Sequence, residues 1–441
     1  MQKISTRKLA EILECDGIIA QAEIERVTTD SRKVAAGDLF VALRGEKFDG
    51  HNFVNEVLQK GAAAVIVDHK IAEAAVDRQL VVADTLKAFG RIGAYNRQQF
   101  KGKVIGLTGS SGKTTTKEEL KAALSQYGKV YATQGNFNNN IGVPITLCDM
   151  DMTADFAIIE MGMSAKGEIA ELTAYARPDM AIVTNVYPMH IEFFENLQGI
   201  AEAKAEIFQG VKKGGAAIIN EDTNFADILQ SRAEENGLKV YKFGKQHHSE
   251  LKLQLQDDGE HNFYNAWCVL KTIEALGLDE KKSLPALNNF TALAGRGAKH
   301  HLRLPKGGEY TLIDDSYSGQ PEACKLAIEA LAKMEGKGRK ILVLGKMAEL
   351  GATSKARHIE IGQAAEKSGA DVVIGVCEET KDLLAQVSDA KEKHYFASFE
   401  GVDEFLLNNC LQNNDIVLIK GARYSSKMYK VSESLIEKGK H

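Results

Sequence analysis

Proline, tryptophan and cysteine are all scarce in this chain, with six prolines, one tryptophan and six cysteines among 441 residues. So few prolines leave no Pro-rich linker to mark a domain boundary. The cysteines, at 15, 148, 268, 324, 377 and 410, form no CxxC pair and no metal-type spacing. That excludes a zinc cluster or a disulfide framework and predicts reduced, mostly packed thiols. No apolar run approaches the roughly 20 residues a membrane span requires, so no membrane insertion is expected. Residues 1 to 13 space their apolar side chains like an amphipathic helix and lack the apolar core and cleavage site of a secretory signal. A cytoplasmic protein is expected. Basic runs interleaved with aromatics are also missing, and the formal net charge of −5 gives no reason to expect nucleic acid. Anionic small ligands then need local cationic pockets.

What the chain does have is length, with ordinary globular composition: 44% hydrophobic and 26% charged residues over more sequence than one core usually serves. Strand-like runs alternate with helical patterns, which predicts an α/β fold with largely parallel sheets. Three blocks emerge. The first, residues 1–101, holds expected strands at 38–43, 64–67 and 80–83. The second, 102–298, holds 104–107, 130–133, 156–160, 180–183 and 216–219. The third, 299–441, holds 311–314, 340–344, 372–376 and 416–420, and reads as a smaller doubly wound unit. A hinge is expected near Gly295-Arg296-Gly297.

The most informative stretch is Val104-Ile-Gly-Leu-Thr-Gly-Ser-Ser-Gly-Lys-Thr-Thr-Thr-Lys117, a buried strand, a tight turn and a helix start. Gly109, Ser110, Ser111 and Gly112 form a turn whose backbone N–H groups, with the helix dipole, hold an anion. Lys113 supplies a point charge to the outer phosphates, and the hydroxyl of Thr114 or Thr115 can ligate Mg²⁺. A nucleotide triphosphate is announced. The loop is not a standard Walker A, because Leu107 stands where that motif has its first glycine.

Glu160 ends the apolar run Phe156-Ala-Ile-Ile-Glu160, so its carboxylate should emerge at the sheet's carboxyl edge, where an oxygen ligand for Mg²⁺ belongs. His190 follows a second strand end and is read either as a structural histidine or as a ligand. Lys204 falls on the apolar stripe of the helix that carries Ile200, Ala203, Ile207 and Phe208. There it either snorkels outward or is held with a lowered pKa and engaged in chemistry. The loop Gly135-Asn-Phe-Asn138-Asn139-Asn-Ile-Gly-Val-Pro144 reads equally as a set of self-bonding Asx turns or as a binding loop. Arg296 and Asp315, the latter at the end of the third block's first strand, could meet a nucleotide.

The order Thr108-Gly-Ser-Ser-Gly-Lys-Thr114, Glu160, His190, Lys204, His261-Asn262, Asn265-Ala266, Gly295-Arg-Gly297 and Asp314-Asp315 resembles the Mur ligases, cytoplasmic ATP-dependent enzymes that build the peptide stem of the cell-wall precursor. The resemblance spans nearly the whole chain. It implies a UDP-substrate domain, a central P-loop-type ATPase domain and a C-terminal Rossmann-like domain in the three blocks. Within the family, residues 135–144, Asp314-Asp-Ser-Tyr317 and Met347-Ala-Glu-Leu-Gly351 are similar to the member that adds D-alanyl-D-alanine to UDP-N-acetylmuramoyl-tripeptide.

That resemblance implies an acyl-phosphate mechanism with ATP and Mg²⁺, acting as a monomer. Lys113, His190 and Lys204 are implied as catalytic, and Glu160, His190 and a carbamylated Lys204 as serving the metals. Asn262, Arg296 and Asp315 are implied to contact ATP, Ser31 and Arg32 the uridine diphosphate, and Asn138 and Asn139 the substrate. Three positions depart from the family pattern: Ser318 replaces an asparagine, Lys346 an aspartate, and Tyr187 precedes the histidine in place of a smaller residue. The alternatives are the ligase that adds a diamino acid, a non-catalytic nucleotide-binding homologue and a P-loop kinase. The motif Asp-Asn-Pro-Arg, expected of the diamino-acid ligase, is replaced here by Cys377-Glu-Glu-Thr380.

Overall fold

The apolar runs become strands of four sheets in a computed structural model that describes residues 1–15, 20–45, 48–188, 191–256 and 259–440. Two units are distinguished. The first comprises Met1–Val186, Gln198–Leu253 and Tyr264–Asn288, and the second Tyr187–Leu197, Gln254–Phe263 and Asn289–His441.

The first unit opens differently from the sequence expectation of a helix from residue 1. Ile4–Ser5 (β1) pairs antiparallel with Glu23–Ile24 (β2), and the helix runs only over Thr6–Leu13. Ser5 is the reason, since its side chain accepts from Lys8 N as an N-cap and so starts the helix there. A parallel sheet follows, with Val27–Thr28 (β3), Leu39–Val41 (β4), Ala64–Val67 (β5) and Gln79–Val81 (β6) in sequential order. Its residues Leu39, Val41, Ile66 and Leu80 pack on Ala88, Phe89 and Ile92 of the helix Thr85–Gln99. The same helix joins this sheet to the next. Asn96 Nδ2 donates to Leu147 O at 2.7 Å, buried Arg97 donates through Nε to Ala176 O at 2.8 Å, and Gly90 leaves room for the Tyr175 ring, which a Cβ would meet at 2.3 Å.

Lys103–Thr108 (β7), Val130–Ala132 (β8), Phe156–Glu160 (β9), Met180–Val183 (β10), Ala216–Asn220 (β11) and Lys239–Phe243 (β12) form an all-parallel sheet in the order β12-β11-β10-β7-β9-β8. After β7 the chain lays the edge strand β8 and then β9 on one side, and then β10, β11 and β12 outward on the other. In open α/β sheets that reversal opens a crevice at the strands' carboxyl ends. Leu107 stands beside Glu160 and Thr108 beside Val183 in register, so three strand ends meet there.

The second unit is built on Ala298–Arg303 (β13), Glu309–Asp315 (β14), Lys340–Gly345 (β15), Val372–Val376 (β16), Glu392–Phe396 (β17) and Ile416–Lys420 (β18), ordered β13-β14-β18-β15-β16-β17. Only β13 is antiparallel to its neighbour. Alternate residues of β15, Ile341 with Val343 and Leu342 with Leu344, enter separate cores on the two faces, as a doubly wound sheet requires.

The strands β12, β13 and β17 escaped the sequence reading. Each lies at a sheet edge and carries polar residues, as in Lys239-Val-Tyr-Lys-Phe243 and Glu392-Lys-His-Tyr-Phe396, because one side faces water. No helix among the described residues is long and apolar enough to cross a membrane. Of the six cysteines, Cys148, Cys268, Cys324 and Cys410 are buried.

Candidate active site

The phosphate loop leaves β7 and is clamped from β10. Ser110 N donates to Asn185 O at 3.0 Å and Ser111 N to Asn185 Oδ1 at 2.8 Å, while Thr184 Oγ1 donates to Ser111 O at 2.7 Å. The clamp sets the residue type at Gly109, where a Cβ would lie 1.8 Å from Thr184 Oγ1. Gly112, at φ +76°, caps the helix Lys113–Leu124 in a left-handed conformation that glycine adopts without steric cost. Lys113 Nζ reaches back to donate to Gly109 O at 2.7 Å, which places its charge across the turn. Behind the helix start, Thr116 Oγ1 donates to Asn265 Oδ1 at 3.2 Å.

Glu160 is 1% exposed at the end of β9 and is gripped from three sides. Thr114 Oγ1 donates to it at 3.1 Å, Asn138 Nδ2 donates to Oε1 at 2.8 Å, and Lys117 Nζ stands 3.8 Å from Oε2. Lys117 is fully buried and also donates to Thr133 O at 2.7 Å and Gly135 O at 3.3 Å, so it ties the start of the asparagine loop to the phosphate-loop helix. A hydroxyl and a carboxylate side by side at a strand edge are the hard oxygen donors that Mg²⁺ takes, so this pair fits the ion. The asparagine loop closes a local turn and also sends one side chain to the sheet edge. Asn139 Oδ1 accepts from Ile141 N and Gly142 N as a local turn, whereas Asn138 reaches Glu160.

Lys204 lies on the helix Leu197–Ala205 and is 2% exposed, so it does not snorkel. Burial, with a smaller push from Lys113, holds its pKa well below the ordinary lysine value. Its amine makes no hydrogen bond or ion pair to the described residues. Two residues on, Glu206 accepts from Gly167 N at 2.9 Å and Ala170 N at 3.1 Å, so this segment is pinned to the N-terminus of the helix Glu168–Ala176 that follows Glu160. His190 lies outside the described residues.

At the carboxyl edge of the first sheet, Ser31 and Arg32 form a short 3₁₀ turn after β3. Arg32 is held bidentately by Asp30, at 2.8 and 2.9 Å, and that contact lowers the Asp30 carboxyl to about 2. Nearby, His51, Asp68 and His69 bring three ligand-type atoms within 4.8 Å of one another. His51 Nε2, however, already accepts from Asp68 N at 3.1 Å, and Arg44 sits on Asp68 at 3.1 Å. The group is a hydrogen-bonded corner.

In the second unit, Asp315 ends β14 and its Oδ2 accepts from buried Lys420 Nζ at 2.6 Å. Burial pushes the Asp315 carboxyl up, the opposing pull of Lys420 being smaller. Its neighbour Asp314 builds the turn before it, accepting from Gly295 N at 2.8 Å and Ser316 Oγ at 2.6 Å. Arg296 in that turn lies 4.0 Å over the Tyr317 ring. Asn262 sits in the first turn of the helix Glu260–Ala275 and donates through its N–H to Gly259 O at 2.9 Å. Lys346, one of the departures, donates to Glu379 at 2.6 Å.

Family models cover most of the chain: the Mur ligase family catalytic domain over residues 23–97, the Mur ligase middle domain over 107–273 and the Mur ligase glutamate ligase domain over 303–423. The UDP-N-acetylmuramoyl-tripeptide–D-alanyl-D-alanine ligase of Escherichia coli (strain K12) is 35% identical over 464 residues, spanning 100% of both chains. That of Bacillus subtilis (strain 168) is 32% identical over 99% of each. The chain belongs to the Mur ligase family. A crystal structure of MurF from Acinetobacter baumannii matches this Mur ligase with a TM-score of 0.90 at 31% identity over 99% of each chain. The MurF ligase of Thermotoga maritima, solved in complex with ADP, matches at 0.82 and 28% identity over 94% of this chain and 97% of that one.

In this Mur ligase the structure brings Lys113, Thr114, Asn138 and Glu160 together at one sheet edge and Arg296 and Asp315 at another. Thr114, not Thr115, is the hydroxyl on Glu160. Sequence reasoning missed Lys117, Thr184, Asn185, Glu206 and Lys420. Lys117 alone left a trace, being four residues after Lys113 and so near its helix face.

Proposed function

We propose that this Mur ligase is an ATP-dependent, ADP-forming enzyme of the cytoplasm that joins D-alanyl-D-alanine to UDP-N-acetylmuramoyl-tripeptide in peptidoglycan precursor synthesis, working as a monomer. The observation that carries this reading is the end-to-end likeness to ligases named for that reaction, in a chain whose phosphate loop, Glu160 and buried Lys204 are in place.

The tripeptide's terminal carboxylate attacks the γ-phosphorus of ATP, the bond to ADP breaks, and an acyl phosphate forms. The dipeptide's amine then adds to the carbonyl carbon, loses a proton, and expels inorganic phosphate. Such steps need charge stabilisation more than covalent help. The loop amides and Lys113 hold the phosphates. Thr114 and Glu160 would hold Mg²⁺, which when bound offsets the charge on the transferred phosphoryl oxygens. Asn138 and Lys117 keep Glu160 aimed.

The Lys204 amine, with its proton affinity lowered by burial, is available to add to CO₂ and lose a proton, and the resulting carbamate, with His190, would hold a second metal that balances charge on the phosphoryl group. Asn262, Arg296 and Asp315 contact the nucleotide, Ser31 and Arg32 the uridine diphosphate, and Asn138 and Asn139 the peptide substrate.

The test is phosphate release with ATP, Mg²⁺, D-alanyl-D-alanine and UDP-N-acetylmuramoyl-tripeptide bearing either lysine or diaminopimelate. Release dependent on all components is expected. No release above background with either tripeptide sinks the reading, and release with a free diamino acid and the shorter UDP-dipeptide replaces it with the preceding ligase.

A further inference from the structure

Strands β14 and β18 are parallel neighbours in which Asp315 pairs with Lys420, so the segments that follow them leave the sheet at the same edge. These segments touch closely: a Cβ on Gly319 would lie 2.4 Å from Ala422 N. Arg423 emerges from the second segment with its guanidinium carbon 4.4 Å from the Tyr429 ring centroid and 5.2 Å from that of Tyr317. Two aromatic faces thus fix a half-buried cation. Among the described residues no carboxylate or carbonyl accepts a hydrogen bond from Arg423, so its planar fork of donors is oriented and uncommitted. The first segment adds an acceptor, because Gln320 Oε1 is buried with no hydrogen-bond partner among the described residues.

We propose that Arg423, held by Tyr317 and Tyr429, is the residue that binds the terminal carboxylate of the incoming D-dipeptide. A guanidinium pairs bidentately with a carboxylate, and tyrosine faces beside it suit the small methyl side chains of the ligand. Gln320 Oε1 offers an acceptor to an N–H of the same peptide. A nucleotide phosphate is the competing anion, since Arg296, assigned above to the nucleotide, lies 4.0 Å over the same Tyr317 ring, and the KM for ATP is the readout that separates the two. The assignment rests on the dipeptide-adding reading above and fixes how that reaction distinguishes a free dipeptide from a blocked one.

Steady-state kinetics on the full chain test it with Arg423→Gln and Arg423→Lys, using D-alanyl-D-alanine and its C-terminal amide. Loss of a charge-assisted pair raises KM for the dipeptide by about 10- to 100-fold in Arg423→Gln. An intermediate rise is expected in Arg423→Lys, with kcat and the KM values for ATP and the UDP-substrate changing less than about twofold. The unaltered enzyme should discriminate against the amide by a similar factor, and Arg423→Gln should lose that discrimination. This comparison of ligands needs no variant to fold. Equal KM for dipeptide and amide in the unaltered enzyme overturns the proposal, as does discrimination that survives in Arg423→Gln. A rise in the KM for ATP in place of the dipeptide assigns Arg423 to phosphate and also overturns it. An unaltered enzyme with no turnover of D-alanyl-D-alanine refutes the function reading itself, whereas turnover with an unmoved dipeptide KM refutes only Arg423.

Discussion

The carboxyl edges of the two six-stranded sheets handle charge in opposite ways. At the first, Glu160 is wrapped by Thr114, Asn138 and Lys117, while the Lys204 amine is buried and pairs with no carboxylate among the described residues. At the second, Asp315 and Lys420 are closed on each other, and the open cation is Arg423 on its tyrosine rings. A lysine deprived of water gives up its proton and becomes a nucleophilic amine, whereas an arginine keeps its charge and remains a handle for anions. The two sheets share architecture, and the residue type at each edge sets whether the cation there keeps its charge.

The sharpest way to break this comparison is to exchange the residue types. Lys204→Arg should be as inactive as Lys204→Ala, each losing turnover by at least about 100-fold, because neither side chain can form a carbamate. Short carboxylic acids should partly restore only the alanine variant. Full activity in Lys204→Arg would remove chemistry from the first edge.

At the second edge, Lys420→Met leaves the Asp315 carboxyl buried without its donor and should destabilise the chain by about 4 kcal/mol in denaturant unfolding. Adding Asp315→Asn should recover much of that loss. No recovery would mean that Lys420 acts through packing alone.

A third test concerns Glu119, one turn and a half beyond Lys113, which burial pushes up to about 8 and whose Oε2 has no hydrogen-bond partner among the described residues. The folded chain keeps this proton at pH values where the unfolded chain has released it. Its contribution is therefore full below the ordinary glutamate value, falls as pH rises from about 4.5 to 8, and is flat above. Glu119→Gln should flatten that slope and stabilise the chain at pH 8 by about 3 kcal/mol relative to the parent, with little gain at pH 4.5. The smallest effect is expected for Glu206→Gln, which weakens acceptance from Gly167 and Ala170 and should cost about 1 kcal/mol in the same unfolding assay.

Much of this fold was legible because its strands are short, apolar and buried on both faces, as in Phe156-Ala-Ile-Ile-Glu160 and Lys340-Ile-Leu-Val-Leu-Gly345. The edge strands Ala298–Arg303 and Glu392–Phe396 were not, because half of each is solvated and their histidines and lysines mask the alternation. Glu160 could be placed because a polar residue ending an apolar run must emerge at the sheet edge. The surroundings of Glu160 could not be read, since Asn138 and Lys117 reach it from other elements, 22 and 43 positions away in the chain. The N-terminal helix shows the limit of periodicity: the apolar spacing extends to residue 1, but the Ser5 cap sets the start.

Local sequence therefore determined where a phosphate loop forms, because strand, glycine turn and helix start are consecutive residues whose backbone preferences suffice. It also put Lys204 on an apolar stripe. Only the tertiary structure decided that this lysine is dry, that Thr114 is the hydroxyl on Glu160, and that Arg423 stands between two rings. Desolvation and pairing are properties of what surrounds a side chain, and those surroundings come from segments that only folding brings together.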